Sequence, residues 1–417
     1  MSYNLGVARL KQYAMLVCLL YCSVYYLKVN VADLLPSIGD GLSDFTHYYG
    51  VARCVLAAKS PYTDAEHIYP PTLAFLLTPL ASTDYVTARR IWFWCSQAFL
   101  LLAAYLTWRA LGRGRTGACC VACVWALAGA SAENLFLGQL GPLLVLLLVL
   151  AYWRAAATQG AALAAGFCLK LLPGILSIVP LLRRDWRAIA TLIAVTAALI
   201  LVPAAVIAHW HSGPAFPGHA DYWMGSPAVL NWSIPAIALR VADPPVSPAR
   251  VPYNWEFGNL TRRLRLPRDQ QRLSAGIGAG LLLAGLAALI IVCRGRLNAP
   301  QAPWASAALI SLSVAVSPVS WSHYQILQYP GLALLLCYAV RQRKWLVGAC
   351  AVVLGALLYR IPVEVLFDYH ARYAGWSAAS PATLYIWTSV TPIAALLLFG
   401  MLLRQLTAEA APPRQPR

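Results

Sequence analysis

Long runs of apolar residues recur along almost the whole chain, separated by short polar segments. The runs lie near residues 10–30, 70–83, 91–110, 116–133, 140–155, 161–182, 188–208, 273–293, 303–317, 324–340, 345–362 and 383–403. Most of them approach the roughly 20 residues that an α-helix needs to cross the hydrocarbon of a bilayer. The pattern therefore predicts an all-α, polytopic membrane protein with about twelve transmembrane helices.

The composition supports the same class. Hydrophobic residues make up 60% of the chain and charged residues 11%, and the mean hydropathy is +0.62. The first apolar run continues into Asp33 and Pro36 without a small-residue cleavage site. We therefore expect it to be retained as a membrane anchor rather than removed as a signal peptide.

The basic residues indicate an orientation. The net charge of +17 comes from 32 Lys and Arg against 15 Asp and Glu, and in a membrane protein it reflects loops that face anionic headgroups rather than nucleic acid. Short loops rich in Lys and Arg stay in the cytoplasm, which applies here to the loops at 183–187, 294–296 and 341–344. Alternation then places both termini in the cytoplasm. The predicted outer loops are about 31–69, 209–272, 318–323 and 363–382. The prediction is a single transmembrane domain over residues 1–406, followed by a disordered cytoplasmic tail at 407–417.

Assigning successive loops to alternate sides of the membrane fits poorly between residues 111 and 173. It places three arginines outside and three polar residues suited to a site inside (Arg113, Arg115 and Arg154; Glu133, Asn134 and Gln139). Short or re-entrant helices are tolerated where the backbone lines a cavity. We therefore expect such helices in this region.

Cysteine and glycine patterns point to no cofactor. Most of the eleven cysteines lie in apolar runs, where sulfur behaves as a small hydrophobe. Cys119, Cys120 and Cys123 form the only cluster along the sequence, and no His or acidic residue stands near them at ligand spacing. The sequence contains neither GxGxxG nor GxxxxGK[ST], which disfavours a nucleotide-dependent enzyme. We predict no cofactor and a substrate that arrives through the bilayer, and a divalent ion at Asp44 is left open.

The chemistry is expected in the loop after the first apolar run. Asp44 lies there in DFTHYY, followed by Tyr62 and by the IYPP run at 68–71. A carboxylate at the edge of an apolar core, beside aromatic rings and a histidine, suits sugar recognition and the removal of a proton from a hydroxyl. Other acidic residues occupy the same loop, so charge alone does not single out Asp44.

A series of short motifs in a fixed order carries a resemblance. The motifs are DFTHYY at 44–49, YPP at 69–71, NLFLGQ at 134–139, KLLP at 170–173, NWS at 231–233 and SPVSWSHY at 317–324. Together they resemble glycosyltransferase family 87, the polyprenyl-phosphate-mannose-dependent mannosyltransferases with the GT-C fold.

The resemblance implies a hexosyltransferase of the inner (plasma) membrane with its active site on the outer face. It would transfer a sugar, by expectation mannose, from a polyprenyl-phosphate donor to a glycolipid or glycan acceptor, with inversion and with Asp44 as general base. One carboxylate is enough, because a phosphate leaving group needs no proton from an acid, unlike the alcohol expelled in glycoside hydrolysis. The residues expected to bind substrate are His323, Lys170, Tyr48, Tyr49, Tyr62, Tyr69, Asn134, Gln139, Asn231 and Trp321.

Other interpretations stay open at this point. Tyrosines also mark membrane interfaces, buried amides also join helices, and a lysine can extend its charge to the interface. The arginine-rich run at 261–272 either binds the donor phosphate or lies on headgroups. Another GT-C enzyme that uses arabinose or glucose fits the same motifs. A lipid or glycan transporter or flippase would have similar helices, although the repeat symmetry common in transporters is not visible.

Overall fold

A computed structural model gives the fold of the chain. It describes residues 2–38, 43–63, 69–127, 129–154, 156–213, 268–293, 297–317, 322–359 and 381–410. Within these ranges the chain is helical and contains no β-strand, only an isolated bridge between Lys59 and Ser212. The predicted all-α class is confirmed.

The α-helices have lengths between four and thirty residues. In chain order they are α1 (Ser2–Leu27), α2 (Asp44–Leu56), α3 (Thr72–Leu76), α4 (Thr78–Ala81), α5 (Tyr85–Ala110), α6 (Arg115–Leu127), α7 (Ala130–Leu137), α8 (Gly141–Trp153), α9 (Ala156–Leu169), α10 (Ile178–Arg183), α11 (Trp186–Trp210), α12 (Arg268–Cys293), α13 (Ala302–Val316), α14 (Tyr329–Arg341), α15 (Trp345–Tyr359) and α16 (Pro381–Ala410). Short 3₁₀ helices at Leu172–Ser177 and Ser322–Gln328 precede α10 and α14.

The described helices confirm a polytopic membrane protein but not twelve spans. Five are long and apolar enough to cross a bilayer: α1 with its continuation to Ser37, α5, α11, α12 and α16. The pair α6 and α7, bent by 52°, makes a sixth if it counts as one span. Helices such as α8, with 13 residues, are only about 20 Å long, less than the roughly 30 Å of hydrocarbon. Apolar runs predict where helices lie, but not where they break.

The predicted helix at 70–83 is not a span. Two short helices, α3 and α4, replace it. The segment starts at Tyr69, whose ring lies 6.4 Å from that of Tyr48, and ends at Thr83, whose carbonyl accepts a hydrogen bond of 2.7 Å from Tyr49. Both ends of the segment therefore contact neighbouring residues of α2. The chain enters and leaves on the same side of the bundle.

This correction reverses the predicted side of the next helices. The α5 helix starts beside α2, with 3.2 Å between the hydroxyls of Ser43 and Tyr85, and runs away from it. At its far end the Arg341 guanidinium donates to the carbonyl of Leu111. We call this far end, which carries Arg109, Arg113, Arg154 and Arg341, the basic end, and the opposite one the Asp44 end.

The prediction that Arg113, Arg115 and Arg154 lie on the opposite side from the basic loop at 341–344 is therefore wrong. So is the separation of Gln139 from Asp44, because their side chains are hydrogen-bonded. Both errors come from counting 70–83 as a span. An extra span assigns every following loop to the opposite side of the membrane, until a second counting error reverses the assignment again. The short helices expected between 111 and 173 are present as α6 to α9.

The loop predicted around Asp44 is a helix. Ser43 precedes it as N-cap, and its backbone N–H donates to the Thr46 hydroxyl at 3.2 Å. The helix is amphipathic, because its apolar residues recur every three or four positions and are buried. These are Phe45, Tyr48, Val51, Ala52 and Val55. Asp44 thus stands in the first turn, where the helix dipole favours a negative charge.

The remaining domain predictions concern the chain ends and loops. The last helix extends to Ala410, so the prediction of disorder is wrong for residues 407–410. Residues 411–417, together with most of the predicted outer loops at 209–272 and 363–382, lie outside the described residues.

The two ends of the bundle generate a testable prediction. In a chain whose native cysteines are replaced, single cysteines at the exposed positions Lys59, Arg154 and Arg343 are labelled with a membrane-impermeant maleimide in sealed vesicles. We expect Arg154→Cys and Arg343→Cys to react from one side and Lys59→Cys from the other, because Lys59 pairs with Ser212, which follows α11, a candidate span that begins at the basic loop 183–187. Labelling of Arg154→Cys together with Lys59→Cys would contradict the assignment; detergent-opened vesicles, in which all three react, are the control.

Candidate active site

The side chain of Gln139 links three of the predicted site residues. Its amide nitrogen donates to the carboxylate of Asp44. Its carbonyl oxygen accepts from the Tyr48 hydroxyl at 2.9 Å and from the Lys170 ammonium at 3.4 Å. A carbonyl oxygen has two lone pairs, so one amide satisfies both donors. The structure therefore brings together α2, the turn before α8 and the end of α9.

Asp44 lies at the rim of this cluster. It is partly exposed, but protein atoms surround most of the carboxyl, and this burial raises its pKa above the ordinary value of 3.8. The hydrogen bond from Gln139 and the positive charge of Lys170 lower the pKa and offset part of the effect. A carboxylate in such an environment is a stronger base than one in water.

Lys170 is buried directly after α9, where the chain breaks before the 3₁₀ helix. Its nitrogen lies 4.0 Å from the ring centroid of Tyr324 and 6.0 Å from that of Tyr69. Aromatic faces attract a desolvated cation at these distances. The ammonium is thus held beside Asp44 by aromatic rings and an amide.

His323 and Asn134 form the inner wall. The Asn134 amide donates to the carbonyls of His323, at 2.8 Å, and Ala130, at 2.7 Å. The ring of His323 stands edge-on to Tyr324, with 4.7 Å between centroids. Burial, with a smaller effect of Lys170, lowers the pKa of His323 well below its ordinary range. A neutral imidazole at this position would donate or accept hydrogen bonds rather than act as a cation.

Two polar atoms of this wall have no hydrogen-bond partner in the described part of the chain. They are Nε2 of His323 and Oδ1 of Asn134, and both are fully buried. An unsatisfied buried polar group costs about 1–3 kcal/mol. A Cβ added to Gly141 would lie 1.9 Å from Oδ1 of Asn134, so this oxygen packs against the start of α8 rather than facing a substrate.

The four predicted tyrosines separate into two groups. Tyr48 and Tyr69 pack edge to face beside Lys170, and the buried Tyr62 supports them by donating to the Tyr69 carbonyl at 2.9 Å. Tyr49 is not in the cluster: its hydroxyl binds Thr83, and its ring packs on that of Tyr85 at 5.5 Å. We therefore drop Tyr49 from the expected binding residues. Two others, Asn231 and Trp321, lie outside the described residues, as do positions 261–267 of the arginine-rich run.

Sequence reasoning missed the residue that holds the Gln139 turn in place. Arg89 is only 2% exposed, and its guanidinium donates to the carbonyls of Leu135, at 2.7 Å, and Phe136, at 2.6 Å. These carbonyls lie at the C-terminus of α7, where a cation is favoured. The same guanidinium lies 5.7 Å from the ring of Phe45, next to Asp44. Two adjacent arginines in the otherwise largely apolar stretch 85–94, Arg89 and Arg90, were the available signal.

The turn itself requires glycine. Gly138 has a φ of +69°, and a Cβ added there would lie 2.6 Å from Cβ of Phe45. Its carbonyl accepts a bond of 2.9 Å from the indole of Trp92. The turn is therefore packed against both α2 and α5, which fixes the position of Gln139.

Sulfur ligands offer a possible metal group elsewhere in the chain. The Sγ atoms of Cys18, Cys22 and Cys123 lie within 4.8 Å of one another, between α1 and α6. This differs from the predicted cluster of Cys119, Cys120 and Cys123, since the helix contact brings in two cysteines about 100 residues away. Within the described part of the chain, no group of three ligands suited to a metal includes Asp44.

Comparison with known proteins identifies the class. Residues 67–258 match glycosyltransferase family 87. The chain is 24% identical, over 284 residues, to a polyprenol-phosphate-mannose-dependent alpha-(1-2)-phosphatidylinositol mannoside mannosyltransferase of Mycobacterium tuberculosis, a match that covers 68% of this chain and 60% of the relative. It is 30% identical, over 179 residues, to an alpha-(1->3)-arabinofuranosyltransferase of the same species, covering 40% of this chain and 41% of the relative.

These matches support the predicted enzyme class, a glycosyltransferase, for a chain with several candidate membrane helices. The resemblance to glycosyltransferase family 87 is confirmed as well. The family match includes Gln139 and Lys170 but begins after Asp44 and ends before His323. The chain matches about 60% and 41% of the lengths of the two relatives, so its donor and acceptor are matters for proposal.

Arg89 provides a test of the site's scaffold. We expect Arg89→Ala to lower the free energy of unfolding by about 3 kcal/mol or more, because two buried carbonyls lose a charged donor. Thermal unfolding in detergent measures the loss as a lower Tm. Arg90→Ala is the matched control, since the neighbouring arginine is exposed. Equal Tm values for the two variants would show that the guanidinium does not hold the turn.

Proposed function

We propose that the protein transfers a sugar, mannose, from a polyprenyl-phosphate donor to a hydroxyl of a glycolipid acceptor, with inversion at the anomeric carbon. The observation that carries the proposal is the Gln139 side chain, which joins a carboxylate, a tyrosine and a lysine from separate elements. The name of the mannosyltransferase relative supports both the donor and the acceptor class.

Asp44 acts as the base in this proposal. Its carboxylate takes the proton of the acceptor hydroxyl while the oxygen attacks the anomeric carbon. The bond from that carbon to the phosphate oxygen breaks, and polyprenyl phosphate leaves with the electron pair. Gln139 keeps the carboxylate in one orientation and, through its hydrogen bond, limits the rise in the pKa of Asp44.

Lys170 stabilises the negative charge of the departing phosphate. It is buried near Asp44 but directed at aromatic rings, so its ammonium is desolvated and its charge acts at short range. His323 supplies a neutral hydrogen-bonding group beside the sugar or the phosphate, and its buried Nε2 has no hydrogen-bond partner among the described residues. Tyr48 and Tyr69 provide faces for the sugar ring.

The Asp44 end faces the outside in this proposal. Basic residues collect at the opposite end of the bundle, and short basic segments stay in the cytoplasm. The donor then enters from the outer leaflet of the plasma membrane, and no nucleotide is needed.

An arabinose donor is a second candidate. It is favoured by the 30% identity to an arabinofuranosyltransferase. Competition between polyprenyl-phospho-mannose and polyprenyl-phospho-arabinose in one assay, with purified enzyme and a mixed glycolipid acceptor, decides between the two. If only arabinose is incorporated, arabinose replaces mannose in the proposal, and the proposed roles of the site residues do not change.

Removal of the carboxylate tests the role of Asp44. We expect Asp44→Asn to lower the transfer rate by roughly 10²–10⁴-fold, the usual contribution of a general base, with little change in Tm. The transfer rate is measured with a radiolabelled sugar donor and purified enzyme in detergent. Transport cannot contribute to the signal, because detergent samples have no separate compartments. Asp33→Asn is the control, an exposed carboxylate that follows α1. Full activity of Asp44→Asn would remove Asp44 from the role of base.

The pH dependence gives a separate test. Burial raises the pKa of Asp44 above 3.8, so its protonation begins at a higher pH than for an aspartate in water. The base is active above this pKa, and kcat/KM should fall as the pH falls through it. Gln139→Met removes a hydrogen bond that lowers the pKa, so we expect the acid limb to move to higher pH.

The profile of kcat/KM against pH measures both the acid limb of the wild type and its shift in Gln139→Met. Enzyme returned to neutral pH after each measurement shows whether a loss of activity is due to denaturation. An acid limb that does not move in Gln139→Met would contradict the assigned contact with Asp44.

A further inference from the structure

A cavity of about 160 Å³ lies at the basic end, far from the candidate active site. It opens between the ends of α5 and α8. The residues that matter for its chemistry are Leu106, Arg109, Arg113, Leu150, Trp153 and Arg154. We call this cavity the arginine pocket.

The arginine pocket gathers three positive charges, those of Arg109, Arg113 and Arg154. Among the described residues, no carboxylate and no carbonyl is hydrogen-bonded to the guanidinium of Arg109, Arg113 or Arg154. The Arg109 guanidinium lies 5.7 Å from the ring centroid of Tyr105. Because Arg109, Arg113 and Arg154 are all exposed, solvent screens their mutual repulsion, and the gain from a bound anion comes mainly from charge-assisted hydrogen bonds.

The walls of the pocket are amphipathic. Leu106 stands three residues before Arg109 on α5, and Leu150 stands four residues before Arg154 at the end of α8. Residues at these spacings lie on the same helix face. Each wall is therefore apolar toward the middle of the bundle and cationic at its end.

This gradient fits one kind of ligand. An anionic phospholipid has a phosphate group above apolar chains, in the same order as the arginines and leucines of the walls. Basic pockets between transmembrane helices commonly bind such headgroups. The α5 helix is one of the five that can cross the bilayer, so its end lies at headgroup depth.

We propose that the arginine pocket binds the phosphate headgroup of an anionic phospholipid, separately from the sugar donor. The three guanidinium groups contact the phosphate oxygens, and Leu106 and Leu150 contact the start of an acyl chain. The site lies at the opposite end of α5 from Asp44, so it does not depend on the proposed transfer reaction.

The test compares lipids and variants of the full chain in detergent. Phosphatidylglycerol, phosphatidylcholine and inorganic phosphate are titrated against the wild type while Tm is measured. The triple variant Arg109→Gln, Arg113→Gln and Arg154→Gln is compared with a control of equal charge, Arg184→Gln, Arg187→Gln and Arg343→Gln. The three control residues are exposed arginines of the other basic loops and do not line the pocket.

We expect phosphatidylglycerol, but not phosphatidylcholine, to raise the Tm of the wild type and of the control. In the triple pocket variant, the apparent affinity for phosphatidylglycerol should fall about a hundredfold, on the basis of the usual contribution of each arginine near a charged surface. Inorganic phosphate at the same concentration should have a much smaller effect, because it lacks the chains.

Three results would overturn the proposal. Equal losses in the pocket and control variants would indicate diffuse surface charge, and equal stabilisation by inorganic phosphate would indicate an anion site without a lipid. An unchanged affinity for phosphatidylglycerol in the triple pocket variant would show that the three arginines do not bind the lipid. If the triple variant does not fold, the single variants Arg113→Gln and Arg154→Gln give the same comparison, with about a fivefold loss expected for each.

Discussion

The hydrogen bonds of Arg89 to the end of α7 are the interaction on which the candidate active site depends. A bilayer offers no water to satisfy exposed backbone carbonyls, so the last turn of a helix that stops inside the bundle needs a donor from the protein. Arg89 provides that donor to Leu135 and Phe136, and Trp92 provides another to Gly138. Both donors belong to α5. One long helix thus fixes the turn from which Gln139 reaches Asp44.

Helix breaks place the other site residues as well. Lys170 follows the last residue of α9, and His323 lies in the 3₁₀ helix before α14. A side chain at such a break can point along the bundle axis into a cavity, whereas one in the middle of a continuous helix faces neighbours or lipid. The short helices that reduce the number of spans are therefore the same feature that gathers polar side chains inside an apolar protein.

Much of this could be predicted from the sequence, and the exceptions have physical reasons. Apolar runs predicted the positions of most helices. The family resemblance named Asp44, Gln139 and Lys170 as site residues, although the alternation of sides separated Gln139 from Asp44. The segment 70–83 was wrongly counted as a span because hydropathy does not show that Pro79 and the contacts of Tyr69 and Thr83 with α2 return the chain to the same side. Local sequence carries no record of such long-range contacts.

Charged side chains are placed differently at the two ends of the bundle. At the Asp44 end, a partly exposed carboxylate and a buried ammonium are held close through one amide and several aromatic rings, which is the arrangement that the proposed reaction uses. Direct pairing would satisfy their charges and would leave neither available to substrate. At the basic end, the arginines of the pocket have no acidic partner in the described chain, so their charge is available to lipid. In both places, a charge that the protein leaves incompletely paired marks where a ligand is expected.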